Sequence, residues 1–166
     1  MYGFVNDYSV IAHPNIMKRM SEINLDQHIG YGFDEICKSA RHLLRIKIGN
    51  PWARVFFVVG GTQANMTMIA AALRPHQGVL SADSGHVNVH ESGSIEATGH
   101  KVLPLPANDG KISADQIQNA LRRHFTDAHA EHTVQPGMVY ISEPTECGTV
   151  YSADELRAIS AACHEY

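Results

Sequence analysis

The sequence predicts an α/β domain with a mostly parallel sheet and flanking helices, and three observations predict it. Arg54-Val-Phe-Phe-Val-Val59 is an apolar run too unbroken for a half-exposed strand, and it stops at Gly60-Gly61. Met66, Ile69, Ala70 and Leu73 then return at helical spacing, so the glycines mark a strand turning into a helix. Further short apolar runs alternate with helical patterns along the rest of the chain, as strands joined by crossover helices do.

Residues 1–32 read as an irregular N-terminal arm, because Asn6-Asp7, His13-Pro14 and Gly30-Tyr31-Gly32 are turn signals around one short helical pattern at Asn15 to Met20. Residues 33–166 read as the domain proper. Phe33, Ile36, Cys37, Ala40, Leu43, Leu44 and Ile48 hold helical spacing, and Gly49-Asn50-Pro51 stops that helix. The buried strand at 54–59 follows, then a helix from Ala64 to Leu73. Val79 to Ala82 is a short apolar strand that ends in the polar loop Asp83-Ser84-Gly85-His86.

Ser94 to Thr98 is weakly helical, Lys101 to Leu105 alternates as a strand, and Ser113 caps a helix running to Phe125 with Ile117, Ala120 and Leu121 inward. Thr126 to Gly137 reads as a loop before a strand at Met138 to Ile141, which ends in Ser142-Glu143-Pro144-Thr145. Ser152 followed three residues later by Glu155 opens the last helix as a capping box. On this reading three polar clusters, beginning at Gly60, Asp83 and Ser142, follow three strands. They share one edge of the sheet, where open α/β sheets bind ligands.

The turn Gly60-Gly61-Thr62 is an anion site by geometry. The first N–H groups of a helix lack intrahelical partners and the macrodipole adds about half a positive charge, so a phosphate is held without a basic side chain. Thr62 adds a hydroxyl. The alternative is a tight turn whose glycines serve packing alone. The segment contains neither Gly-x-x-x-x-Gly-Lys-Ser/Thr nor Gly-x-Gly-x-x-Gly, which argues against a P-loop nucleotidase and a plain Rossmann dehydrogenase.

At 166 residues the chain is long enough for one domain with a sizeable core. A formal charge of −4 with no clustered Lys/Arg face argues against nucleic acid or an anionic membrane and favours a small polar ligand. No stretch approaches the roughly 20 apolar residues that span a bilayer, and no basic, then apolar, leader opens the chain; a cytoplasmic location is expected. Cys37, Cys147 and Cys163 are widely spaced and odd in number, which suits a reducing compartment and packing roles.

Taken in order, several segments resemble the threonine aldolase and β-eliminating lyase group of pyridoxal-5'-phosphate enzymes. They are Asn6-Asp7-Tyr8-Ser9 with His13-Pro14, Gly30-Tyr31-Gly32, Gly60-Gly61-Thr62-Gln63-Ala64-Asn65, His86-Val-Asn-Val-His90-Glu91-Ser92-Gly93, Gly99-His100-Lys101-Val102, and Glu143-Pro144-Thr145 before Gly148. The resemblance covers nearly the whole chain and implies the N-terminal part of the aspartate-aminotransferase-like large domain (fold type I). It implies pyridoxal 5'-phosphate as cofactor, with Gly61, Thr62 and Gln63 on its phosphate. His86 inherits the imidazole that stacks on the pyridine ring, a flat ring that also passes protons near neutrality. Glu143 and Thr145 stand where the family places polar residues near the ring and its 3'-oxygen, although Pro144 replaces a frequent Asn. Asn6 and Tyr31 match the arm that approaches the substrate and often crosses to a neighbouring subunit. For Tyr31, a turn aromatic packed on the core is the equal alternative.

The implied reaction is cleavage of the Cα–Cβ bond of a β-hydroxy-α-amino acid such as threonine, giving glycine and an aldehyde, with β-elimination and other fold type I chemistry as near relatives. His86 and His90 could instead form a His-x-x-x-His metal pair beside Glu91, but the zincin order is absent and no metal is expected. The family's chemistry also needs a lysine bonded to the cofactor and an acid partner for the pyridine nitrogen. None of Lys18, Lys38, Lys47, Lys101 or Lys111 follows an apolar strand in a Ser/Thr-rich loop. The chain is therefore expected to be a truncated large domain, inactive alone, working as a homodimer or with a complementing C-terminal chain. A non-catalytic cofactor-binding or complementation module and an unrelated α/β enzyme with a nucleotide or sugar phosphate remain the alternatives.

Overall fold

The structure, a computed structural model, describes residues 3, 6 and 8–166. It divides into two compact units, one ending at Phe57 and one starting at Val58. In the first, α1 (Pro14–Glu22) starts with proline in its first turn, and the His13 ring accepts from the Asn15 amide. Helix α2 (Glu35–Ile48) is set by its ends: Asp34 accepts from the Cys37 amide at one, and Gly49 takes a left-handed φ of 72° at the other. Neither helix buries a residue within this structure.

The second unit holds the sheet. Its elements are α3 (Gly61–Ala72), β1 (Gln77–Ala82), α4 (His86–Val89), β2 (Val102–Leu105), α5 (Ala114–Thr126), β3 (Gln135–Val139) and α6 (Ala153–Cys163). The three strands are parallel in the order β2-β1-β3. β1 lies in the middle and alternates its side chains between two cores. Val79 packs with Ile69, Leu73, Val87, Ile95 and Val102 beneath α3 and α4. Leu80 and Ala82 pack with Ile117, Leu121, Tyr151, Ile159 and Ala162 beneath α5 and α6. A sheet covered on both faces needs the near-continuous apolar strands read from the sequence.

Local capping explains where the helices start. Ser113 and Gln116 exchange side-chain and backbone hydrogen bonds at the head of α5, as do Ser152 and Glu155 at the head of α6. The Ser152 amide, Lys111 and the Ser152 hydroxyl together draw the Glu155 carboxyl down to about 2. Tyr151, buried just before α6, accepts the Ile112 amide on its hydroxyl at 2.9 Å and so fastens the starts of α5 and α6 together.

Two expectations need correction. The run 54–59 is not a strand: it joins no ladder among the described residues, and Val59 is 96% exposed. Apolar character alone does not make a strand, because the backbone must also find a neighbour for its N–H and C=O groups. The third strand starts earlier than Met138 and takes in Pro136 and Gly137. Proline is tolerated because β3 is an edge strand, and a register irregularity opposite Gly78 and Val79 absorbs the extra residue.

Ile117 is fully buried beneath α5. Ile117→Ala is expected to lower the unfolding free energy by about 2–5 kcal/mol, whereas Met68→Ala, on an exposed side chain, changes it by under about 0.5 kcal/mol. Urea denaturation followed by circular dichroism measures both.

Candidate functional site

Of the three polar clusters, two follow strands as expected: Asp83 to His86 after β1 and Ser142 to Thr145 after β3. The third, Gly60-Gly61-Thr62, follows no strand but does head a helix. Gly60 is the N-cap in extended conformation, Gly61 is the first helical residue, and no side chain caps the end. The first intrahelical bond runs from the Ala64 amide to the Gly60 carbonyl at 3.1 Å. The amides of Gly61, Thr62 and Gln63 have no acceptor among the described residues, and all three residues are exposed. A Cβ built on Gly60 or Gly61 meets nothing within 4 Å, so the approach to those amides is open. The side chain of Gln63 turns back, its Oε1 accepting from the Val59 amide at 2.9 Å.

His86 begins α4, a single turn anchored by the buried Val87. The imidazole is 46% exposed, and its Nδ1 lies 2.8 Å from Glu91 Oε1. The Glu91 side chain is wholly buried. Asn65, in the second turn of α3, donates through Nδ2 to the same Oε1 at 2.6 Å, and the Ser94 hydroxyl donates to Oε2 at 2.7 Å. Burial pushes the Glu91 carboxyl up, but the hydrogen bonds from Ser94, Asn65 and His86 outweigh it and hold it below the usual carboxylate range. One buried carboxylate thus joins the helix bearing the open amides to the residue bearing the half-exposed ring.

Sequence reading named His86 and the amides but missed Asn65 and Glu91 as the link between them. The available signal was a polar residue four positions after Gly61 and an acid five after His86.

Thr145 and Glu143, in the same unit, hydrogen-bond elsewhere than to this network. Thr145 is buried; its hydroxyl pairs with that of Thr149 at 2.7 Å, and Thr149 donates onward to the Asp109 carbonyl. Glu143 is exposed, with its carboxylate accepting the Tyr151 amide at 3.1 Å. Both fasten the loop after β3. Asn6 and Tyr31 belong to the first unit: Asn6 Oδ1 accepts from the Tyr8 amide and the Ser9 hydroxyl, and Tyr31 is fully exposed at a φ of 63°. Asp7 of the same motif lies outside the described residues. The His86 and His90 rings sit 5.6 Å apart and tilted by 54°, with Glu91 bonded to His86. No group of three metal-ligating side chains is brought together among the described residues.

Residues 7–166 match the beta-eliminating lyase family. The chain belongs to that family. It is 33% identical over 163 residues to a low specificity L-threonine aldolase of Pseudomonas aeruginosa, a match covering 96% of this chain and 45% of the relative. A second low specificity L-threonine aldolase, from another Pseudomonas strain, is 32% identical over the same length and coverage. Among solved structures, a threonine aldolase of Leishmania major superposes with a TM-score of 0.92 at 47% identity, covering 99% of this chain and 47% of that one. This member of the beta-eliminating lyase family therefore spans about half the length of these relatives, and its parallel three-stranded sheet with flanking helices is the corresponding part of the threonine aldolase fold. The relationship read from the sequence motifs holds over nearly the whole chain.

Because Glu91 carries a depressed value in the folded chain, its ionisation contributes stability that is fully present above the unfolded value of about 4.3 and is lost as pH falls through the lower folded value. Glu91→Gln is expected to cost about 1–2 kcal/mol near neutrality, where charge assistance is lost from three hydrogen bonds. The gap between wild type and variant should close in urea titrations stepped from about pH 7 to about pH 3.

Proposed function

We propose that this chain carries the phosphate- and ring-holding part of a pyridoxal-phosphate-dependent lyase of the threonine aldolase type. The observation that carries the reading is the pairing of three unused amides at the head of α3 with a half-exposed imidazole, linked through Asn65 and Glu91. The amides of Gly61, Thr62 and Gln63, with the Thr62 hydroxyl, would take the cofactor phosphate. His86 would lie over the pyridine ring. The fit is supported by the open space around Gly60 and Gly61 and by the absence of a competing side-chain cap. When bound, pyridoxal phosphate supplies the electron sink that lets the Cα–Cβ bond of a β-hydroxy-α-amino acid break to glycine and an aldehyde.

The residues present account for binding and orientation. Helix-end amides select a dianion by dipole and hydrogen bonding, which a chain of net charge −4 needs in place of a basic patch. His86 keeps one face of the site covered and holds a ring nitrogen where a proton is gained or lost. Asn6 and Tyr31 are proposed substrate contacts, and Glu143 and Thr145 supports of the cofactor ring, on their motif positions alone. α1 and α2 bury none of their residues, which supports a second copy or a complementing chain as partner.

A non-covalent binder is the second reading, and the lysines favour it for this chain by itself. Lys111 is paired with Glu155 and Lys38 with Glu35, and among the described residues of the second unit no lysine hydrogen-bonds to Asn65, Glu91 or His86.

Titration with pyridoxal phosphate is expected to give saturable binding without an adduct reducible by borohydride, read from absorbance near about 420 nm and from mass spectrometry. Gly61→Asp provides the sharper arm. An acid at the first helical position suits the helix dipole and leaves folding intact, but it sets a negative charge against the phosphate. Cofactor affinity should fall about tenfold or more while thermal stability holds or rises. Unchanged affinity would move the phosphate elsewhere and end the proposal.

A further inference from the structure

We infer that Glu91, held by Asn65 and Ser94, is a positioning residue that fixes His86 as its Nδ1–H tautomer and ties the imidazole to the head of α3. The use of the ring rests on the functional reading above. The tautomer rests on the donor set alone.

An ionised carboxylate only accepts hydrogen bonds. Glu91 Oε1 receives Asn65 Nδ2 at 2.6 Å and faces His86 Nδ1 at 2.8 Å, while Oε2 receives the Ser94 hydroxyl at 2.7 Å. Nδ1 must therefore carry the hydrogen, and the neutral ring keeps its lone pair on Nε2. A neutral histidine side chain in water prefers the Nε2–H tautomer, so the site inverts the intrinsic preference. What it gains is a defined proton acceptor on a side chain that remains 46% exposed.

The anchoring is as specific as the tautomer. Glu91 bonds to His86 and not to the neighbouring His90, whose ring is tilted by 54° against that of His86. Its carboxylate is wholly buried, so an unmade bond there would leave a polar atom without water. Asn65 stands four residues after Gly61, one helical turn from the open amides. A rigid turn, an amide and a carboxylate thus separate the proposed phosphate position from the proposed ring position. Their spacing is set by α3 and not by the exposed loop from Ser92 to Gly93.

The experiment is nuclear magnetic resonance of the full chain labelled with 15N-histidine, with the His86 signals assigned by His86→Asn. Nδ1–H is expected in the wild type and in Glu91→Gln, whose amide oxygen can still accept. In Glu91→Leu the tautomer ratio should move about tenfold towards Nε2–H. Nε2–H in the wild type, or an unmoved ratio in Glu91→Leu, overturns the inference. Should Glu91→Leu fail to fold, Asn65→Ala carries the second arm, since it leaves Glu91, Ser94 and His86 in place. Its affinity for pyridoxal phosphate is expected to fall about tenfold while that for inorganic phosphate stays within about twofold. Equal change for both probes, or change for neither, overturns the anchoring role of Asn65. If the wild type binds no pyridoxal phosphate, the functional reading falls, and the wild-type tautomer alone decides the matter.

Discussion

The site depends on one interaction, the buried carboxylate of Glu91. Withdrawing a carboxylate from water costs several kcal/mol unless donors replace the lost hydration. Three donors do so here, from α3, from α4 and from the turn at Ser94. None of the three elements could shift alone without stranding that charge. The cost of burial is thereby converted into positional specificity, which an exposed ion pair such as Arg157–Asp154 does not provide. Apolar packing supports it from below: Ile69 of α3, Val87 of α4 and Ile95 meet Val79 of the central strand in one cluster.

The sheet explains why such a network can stand where it does. With β1 between two parallel neighbours and helices on both faces, the polar groups at the carboxyl edge lie in the loops that follow the strands. Those loops are fixed by their own side chains: Asp83 accepts the Ala107 amide, Asn88 donates to the Asp83 carbonyl, and Thr145 and Thr149 close the loop after β3. Gly110 completes that closure. It adopts a φ of 80°, and a Cβ on it would lie 2.6 Å from the Thr145 hydroxyl. Thr145 therefore holds a loop shape here, whatever else the motif position serves.

What could be read from the sequence was what is local. Ser113 and Ser152 announce helix starts because each cap bonds within three residues, and Gly49 announces a stop because its left-handed conformation is cheap only for glycine. The amides of Gly61 to Gln63 were legible for the same reason. The run 54–59 was misread because strand formation is a property of pairs, and an apolar string says nothing of its neighbour. β3 was misplaced because Pro136 and Gly137 read as loop residues unless the strand is known to lie at an edge. The bond between Asn65 and Glu91 crosses 26 residues, and no periodicity reports a contact of that span.

The helix-end amides, the imidazole and the carboxylate that joins them lie between Gly61 and Glu91, on and just after α3 and α4, whose apolar residues pack with Val79 of β1. This segment can be pre-organised by its own core, because its donors are backbone amides whose direction is fixed by the helix and a ring whose orientation is fixed by Glu91. Neither depends on a flexible basic side chain finding its rotamer. Among the lysines, Lys38 sits in a local surface pair with Glu35, Lys111 in a longer-range pair with Glu155, and Lys101 at an exposed position. This distribution of residues favours pre-organised holding by the segment itself.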